Sequence, residues 1–173
     1  MQIRYMLIAL TAVVAAAALF LLHGSEEDRI LDQLEDLRAL AEIQAPEGSV
    51  ELLVKSRLLS EFFTESSFYD FTGNGHRLYE IPSRQELAQR IARIRAKLAR
   101  LELALQDIEV SVEEDSASVL LRGTGLGTIR GEDGQFLEIH SVEIRLEKPD
   151  DTWLVKGATH IRNEREPAEP PAR

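Results

Sequence analysis

From Asp107 onward the apolar residues of this chain recur every second position, whereas up to Leu105 they recur every third or fourth. That change of period constrains the fold more than any motif, because it segregates helices from strands along the chain. Ile108, Val110 and Val112 alternate with Glu109, Ser111 and Glu113, the pattern of a strand with one face in water. Glu114-Asp115 turns the chain into a second strand from Ala117 to about Ile129. Gly131–Gly134 turns it into Gln135–Lys148, and Pro149-Asp150-Asp151 into Thr152–Ile161. Four strands joined by tight turns read as an antiparallel meander.

The third of these strands changes phase, since Leu137 and Ile139 share one parity and Val142, Ile144 and Leu146 the other. One extra residue near His140-Ser141 would restore a single buried face, which predicts a β-bulge there. Gly123, Gly125 and Gly127 in the neighbouring strand permit bending.

Upstream, Ser25 with Asp28 is a capping-box variant, followed by an apolar stripe of Ile30, Leu34, Leu37 and Ala41. Pro46-Glu47-Gly48 stops that helix. A second runs over Ser49–Phe63 with Leu52, Leu53, Val54, Leu58, Leu59, Phe62 and Phe63. Ser66 to Ile81 reads as short strands and turns, broken at Gly73-Asn74-Gly75. Ser83-x-x-Glu86 is a full capping box. Behind it Leu87, Ile91, Ile94, Leu98, Leu101 and Leu105 recur in steps of four and three, which predicts a single long third helix lying on the sheet.

Met6 to Leu22 is apolar without a charge, with Arg4 before it and Glu26, Glu27 and Asp28 after it. As a helix it rises about 25 Å, at the short end of what spans a bilayer. A cleaved secretory signal is the rival reading, but ending it at Gly24 places the large Leu22 at −3. Arg4 marks the cytoplasmic side, so the expectation is a single-pass anchor in a bacterial inner membrane with the remainder periplasmic. The absence of cysteine fits an oxidising space. The chain thus divides into an anchor or signal over 1–24, one domain over 25–162 and an expected disordered tail over 163–173. A net charge of −10 argues against general nucleic-acid binding and against adhesion of the chain as a whole to anionic lipid.

Phe62, Phe63, Phe68, Tyr69 and Phe71 fall within ten residues and either line a ligand pocket or plug the core. Of these Phe62, Phe68 and Tyr69, with Asp70, His76, Tyr79 and His140, are the ligand-pocket candidates, and no catalytic set is assigned. His23, His76, His140 and His160 show no metal-ligand spacing, although His140 and His160 fall on adjacent strands. Gly123-Thr-Gly-Leu-Gly lacks the following helix that a dinucleotide loop needs, so no cofactor is implied. Arg90, Arg93, Lys97 and Arg100 form a basic stripe, set against Glu26, Glu27, Asp28, Asp32, Glu35 and Asp36 of the first helix. The stripe is either a partner-docking surface or a solvated face. Glu109, Arg122, Glu143, Arg145 and Lys156 are placed on the wet face of the meander.

Two helices, short strands, a third helix and a four-strand meander resemble the nuclear transport factor 2-like (SnoaL-like) superfamily over about Ser25 to Ile161. The resemblance implies an α+β domain with three helices on a curved antiparallel sheet, a cone-shaped, cystatin-like roll. Its members include ketosteroid isomerases, polyketide cyclases, dehydratases, non-enzymatic transport factors and periplasmic assembly parts of secretion systems, so the fold does not choose the function. The leading expectation is a membrane-anchored periplasmic domain that binds a membrane-proximal protein or a small apolar ligand without catalysis. The alternatives are a small lyase or isomerase using Asp70, His76 or Tyr79, and an assembly component of an envelope complex.

Overall fold

A computed structural model describes residues 25–70 and 79–161 of the chain. The run Met6–Leu22, the turn Gly73-Asn74-Gly75 with Phe71 and His76, and the segment 163–173 lie outside the described residues. Among those described, no helix is long and apolar enough to cross a membrane.

Helix α1 (Glu26–Ala41) starts on the expected capping box. Asp28 N donates to Ser25 Oγ at 3.1 Å, and Ser25 N donates to Asp28 Oδ2 at 3.0 Å. Its Ile30 and Leu34 are buried. Two residues beyond its end, Ile43 bridges to Leu101 through a pair of 2.9 Å backbone bonds. Helix α2 (Ser49–Glu61) is shorter than expected, because Phe63 already begins strand β1 (Phe63–Asp70). A short β2 (Tyr79–Ile81) leads into α3 (Arg84–Lys97). Ser83 Oγ accepts from Glu86 N at 3.2 Å, while the Glu86 carboxylate turns to Arg90 at 2.5 Å, so half of the capping box is used.

The long third helix is corrected by the structure. It stops at Lys97, and Leu98, Leu101 and Leu105 belong to β3 (Leu98–Glu113). The segment also satisfies a period of two, since Leu101, Leu103 and Leu105 alternate with Glu102, Ala104 and Gln106. The partner strand β4 (Ser116–Ile129) decides between the two periods. Gly127, Gly125 and Gly123 lie directly opposite those three leucines, and the room left at Gly125 is taken by Leu103 and Leu101.

Strands β5 (Gln135–Glu147) and β6 (Leu154–His160), joined by a 3₁₀ turn at Pro149–Asp151, complete the meander. The six-stranded sheet has the order β2-β1-β6-β5-β4-β3. It is mixed and not purely antiparallel as expected, because β1 runs parallel to β6. The bulge expected at His140-Ser141 is not formed, as the β4–β5 register runs unbroken from Ser116↔Glu147 to Thr128↔Gln135. Leu137 and Ile139 are left 61% and 55% exposed on the outer face, so no extra residue is needed to bury them. Register shifts occur elsewhere: in β3 between Gln106 and Glu109, where Asp107 takes φ 52°, and between β5 and β6 beside Lys156.

The main core lies between α1 and the sheet. Ile30 and Leu34 pack with Val119, Leu121, Leu146, Val155 and Trp153, and each fully buried side chain contributes about 1.5–3 kcal/mol. A second cluster of Tyr69, Ile81 and Leu87 fills the space under α3.

Candidate functional site

Between Arg145↔Gly157 and Leu146↔Val155 the register gains one residue on β6, and that residue is Lys156. Such a bulge changes the phase of a strand, so Lys156 and Gly157 both come to the face away from the helices. The pairing then aligns Ser111, Ser118, Arg145, Gly157 and Phe68 in one row across five strands. Small residues at three of these positions leave a groove of about 570 Å³, walled by Phe68, Lys156, Arg145, Glu143 and Thr159. A Cβ on Gly157 would stand 2.2 Å from the Phe68 carbonyl oxygen, so only glycine lets β1 approach this closely. The Lys156 ammonium sits 5.8 Å from the centre of the Phe68 ring, within cation–π range. Lys156 also pairs with Glu147 at 3.4 Å, and Arg145 with Glu143 at 3.6 Å. The groove thus offers an aromatic wall, a smooth floor and two cations, Lys156 paired with exposed Glu147 and Arg145 with half-buried Glu143, with Glu113 also in its wall. Glu109, Arg122, Glu143, Arg145 and Lys156 share this outer face as the alternation implies, with Arg122 paired to Asp107 at 3.3 Å.

The other pocket candidates are dispersed. Tyr69 packs into the core under α3, with its ring 6.5 Å from that of Phe63. Burial pushes its phenol up, against a smaller opposing effect of the Ser67 side chain. Asp70 is fully buried at the end of β1, paired in register with Thr159. As neighbours in a strand, Tyr69 and Asp70 are directed to opposite faces of the sheet. Phe62 is half-buried at the end of α2, beside Trp153, and Tyr79 is exposed on the edge strand β2. His140 and His160 do meet, with ring centres 5.2 Å apart, and His140 Nε2 lies 3.1 Å from Glu138 Oε2. Among the described residues no group of three metal-binding side chains converges.

The basic stripe is divided by the end of the helix. Arg90, Arg93 and Lys97 lie on α3, but Arg100 lies on β3 and pairs with Glu102. The acidic α1 does not meet the stripe. Its Glu26 takes Trp153 Nε1 at 2.7 Å and Lys148 at 3.1 Å, and its Glu35 takes Arg38. The hydrogen bonds from Trp153 and Lys148 hold the Glu26 carboxyl below the usual carboxylate range. The cation that does join α3 to α1 is Arg95, buried and outside the sequence-based stripe. Its guanidinium holds Glu47 and reaches the carbonyls of Leu40, Ala41 and Glu42 at the end of α1. A lone arginine on the apolar side of α3, twelve residues before the change of period at Asp107, was the legible signal for it.

Helix α2 reverses the usual distribution of polarity. Ser56 and Ser60 are buried with Leu59, while Val50, Leu53, Val54 and Leu58 are 77%, 62%, 52% and 42% exposed. Ser56 Oγ has no hydrogen-bond partner among the described residues.

No protein-family model and no curated protein sequence matches the chain. Solved structures do. An NTF2-like protein with a cystatin-like fold from Novosphingobium aromaticivorans superposes with a TM-score of 0.58 at 18% identity, covering 89% of this chain and 91% of its own. A candidate dehydratase of the NTF2-like family from Streptomyces avermitilis gives 0.60 at 14% identity, covering 82% and 100%. A candidate scytalone dehydratase from Novosphingobium aromaticivorans gives 0.60 at 15%, covering 78% and 82%. The described domain therefore has the cystatin-like α+β fold of these proteins, and at such identities the likeness is one of fold.

Proposed function

We propose that this protein is a membrane-anchored binding domain that holds a small, partly apolar ligand with an acidic group in the groove on the outer face of its sheet. The observation that carries the reading is the bulge at Lys156, which sets a cation against the Phe68 ring above a floor of Ser111, Ser118 and Gly157. Arg145 and Lys156 receive the acidic group, and the Phe68 face receives the apolar part. On the opposite face the space between α1 and the sheet is occupied by Ile30, Leu34, Trp153, Leu146 and Val119, which directs binding outward. The apolar run Met6–Leu22 serves as the anchor, and only His23 and Gly24 separate it from the Ser25 cap.

A second reading keeps the SnoaL-like lyase or isomerase. The fully buried carboxyl of Asp70 favours it, as do the candidate dehydratases among the similar folds. One experiment separates the two. The full chain is isolated from membranes, and its bound small molecules are displaced and identified by mass. Recovery of a molecule unchanged after prolonged incubation supports binding. Its conversion, abolished by Asp70→Asn in a variant that keeps wild-type Trp153 fluorescence, establishes the enzyme instead.

A further inference from the structure

We infer that the outward face of α2 rests on an anionic lipid bilayer. This deepens the anchored reading above and rests on it for the tether. Val50, Leu53, Val54 and Leu58 follow one another at steps of three, one and four, so they form a single crest along the helix. All four are exposed, and the residues that face inward from the same helix include Ser56 and Ser60. A helix that buries serines and exposes valines and leucines has its polarity set for an apolar medium on the outside.

Charge identifies that medium. The chain carries a net −10, yet α3, packed beside α2, carries Arg84, Arg90, Arg93 and Lys97 outside its buried Arg95–Glu47 pair, against Glu86 alone, which Arg90 neutralises. Arg57 and Arg93 line the groove between the two helices, next to Leu53. The acids of α2 are engaged, Glu51 by Lys55 at 2.8 Å and Glu61 by Arg57 at 3.8 Å. An apolar crest with Arg57 and Arg93 along its α3 side, in an otherwise acidic protein, matches a surface with hydrocarbon below and phosphates at that edge. A neutral apolar partner would not call for the arginines. The length of chain outside the domain agrees. Two residues separate Leu22 from Ser25, and the far end of α2 lies beside the first turns of α1, where Leu58 and Glu61 share a groove with Arg29 and Asp32. A tether this short holds that end of α2 within reach of the lipid surface.

The chain has no cysteine, so single labels are specific. The test reconstitutes the full chain in vesicles of phosphatidylethanolamine with a quarter phosphatidylglycerol. An environment-sensitive fluorophore is placed at Val54→Cys or, as a control on the exposed sheet, at Ile139→Cys, and is quenched with nitroxide-labelled lipid. The expected result is a blue-shifted emission and at least threefold stronger quenching at position 54 than at 139. Replacing phosphatidylglycerol by phosphatidylcholine should weaken the quenching at 54. Equal, weak quenching at both positions in vesicles that carry the chain overturns the docking and leaves the anchor standing. A blue shift at 54 without lipid quenching, lost on diluting protein in lipid, assigns the face to a second copy and also overturns it. A chain that fails to float with the vesicles removes both the anchor and this inference.

Discussion

The Arg95 guanidinium forks onto the Glu47 carboxylate, with Nη2 2.5 Å from Oε1 and Nε 2.9 Å from Oε2, and both side chains are almost wholly buried. The same guanidinium donates to carbonyls at the end of α1, which would otherwise lack partners. One ion pair therefore ties α3, the loop after α1 and the C-terminus of α1. Glu47→Ala leaves the arginine buried and uncompensated, and should destabilise the domain by about 3–5 kcal/mol. Denaturant unfolding followed by Trp153 fluorescence measures it. A double change to Leu and Met should cost less than the single one, because it removes both charges.

Acid should loosen the same fold. Burial alone would raise the Glu47 carboxyl, but the hydrogen bonds from Arg95 and Lys55 outweigh it and hold the group below its ordinary value of 4.5. Glu26 is lowered likewise, first by Trp153 and then by Lys148. A carboxyl lowered on folding gives stability that is complete above the unfolded value and is lost as pH falls through the folded one. Stability should thus be flat above about pH 5, in line with the ordinary carboxylate range, and should decline below 4.5. In Glu26→Gln the decline should become shallower and the Trp153 emission should change, since its Nε1 loses a charged acceptor. Equilibrium unfolding across this range is the check, and a stability that rises toward acid would contradict the assignment.

Gly157 should tolerate no side chain. A methyl group there meets the Phe68 backbone at 2.2 Å, and backbone in a paired strand cannot swing aside as a flexible side chain can. Gly157→Ala should cost about 1–3 kcal/mol, as overpacking does. It should also weaken the β1–β6 pairing, visible as faster amide exchange at Tyr69 and Ala158. Gly48→Ala is the control, because nothing lies within 4 Å of its position.

The leucines of β3 give a further test. In the structure Leu103 sits opposite Gly125, with its Cδ2 3.7 Å from where a Cβ would stand. Gly125→Val should therefore crowd Leu103 and lower stability by about 1–3 kcal/mol. Leu103→Ala added to it should recover part of the loss in a double-mutant cycle. Independent, additive effects would mean that the two residues do not meet.

The first helix ends at Ala41, ahead of the expected stop at Pro46-Glu47-Gly48. The caps at Ser25 and Ser83 and the four strands of the meander were legible in local sequence, because capping and alternation are decided within a few residues. The end of α3 was not. Leu101 and Leu105 satisfy both periods, and only the glycines opposite them on β4 select the strand. Likewise the phase change in β5 suggested a bulge within that strand. The exposure of Leu137 and Ile139 absorbs it, and the bulge falls on β6, where Gly157 has to pass Phe68. Of the pocket candidates, Phe68 reached the proposed site. Tyr69 went to the core because strand parity separates neighbours, a separation that sequence clustering conceals. Lys156 and Arg145 had been placed on the wet face, but their joining with Phe68 depends on the β5–β6–β1 register.

Native mass spectrometry of the full chain, purified in mild detergent, tests the groove most directly. Wild-type protein should carry an added small-molecule mass. Phe68→Ala and Lys156→Ala should lose it at least tenfold while keeping the Trp153 emission of the wild type, and Asp70→Asn should retain it. A mass that persists in both groove variants and disappears with Asp70→Asn, or no bound mass in the wild type, would contradict the account.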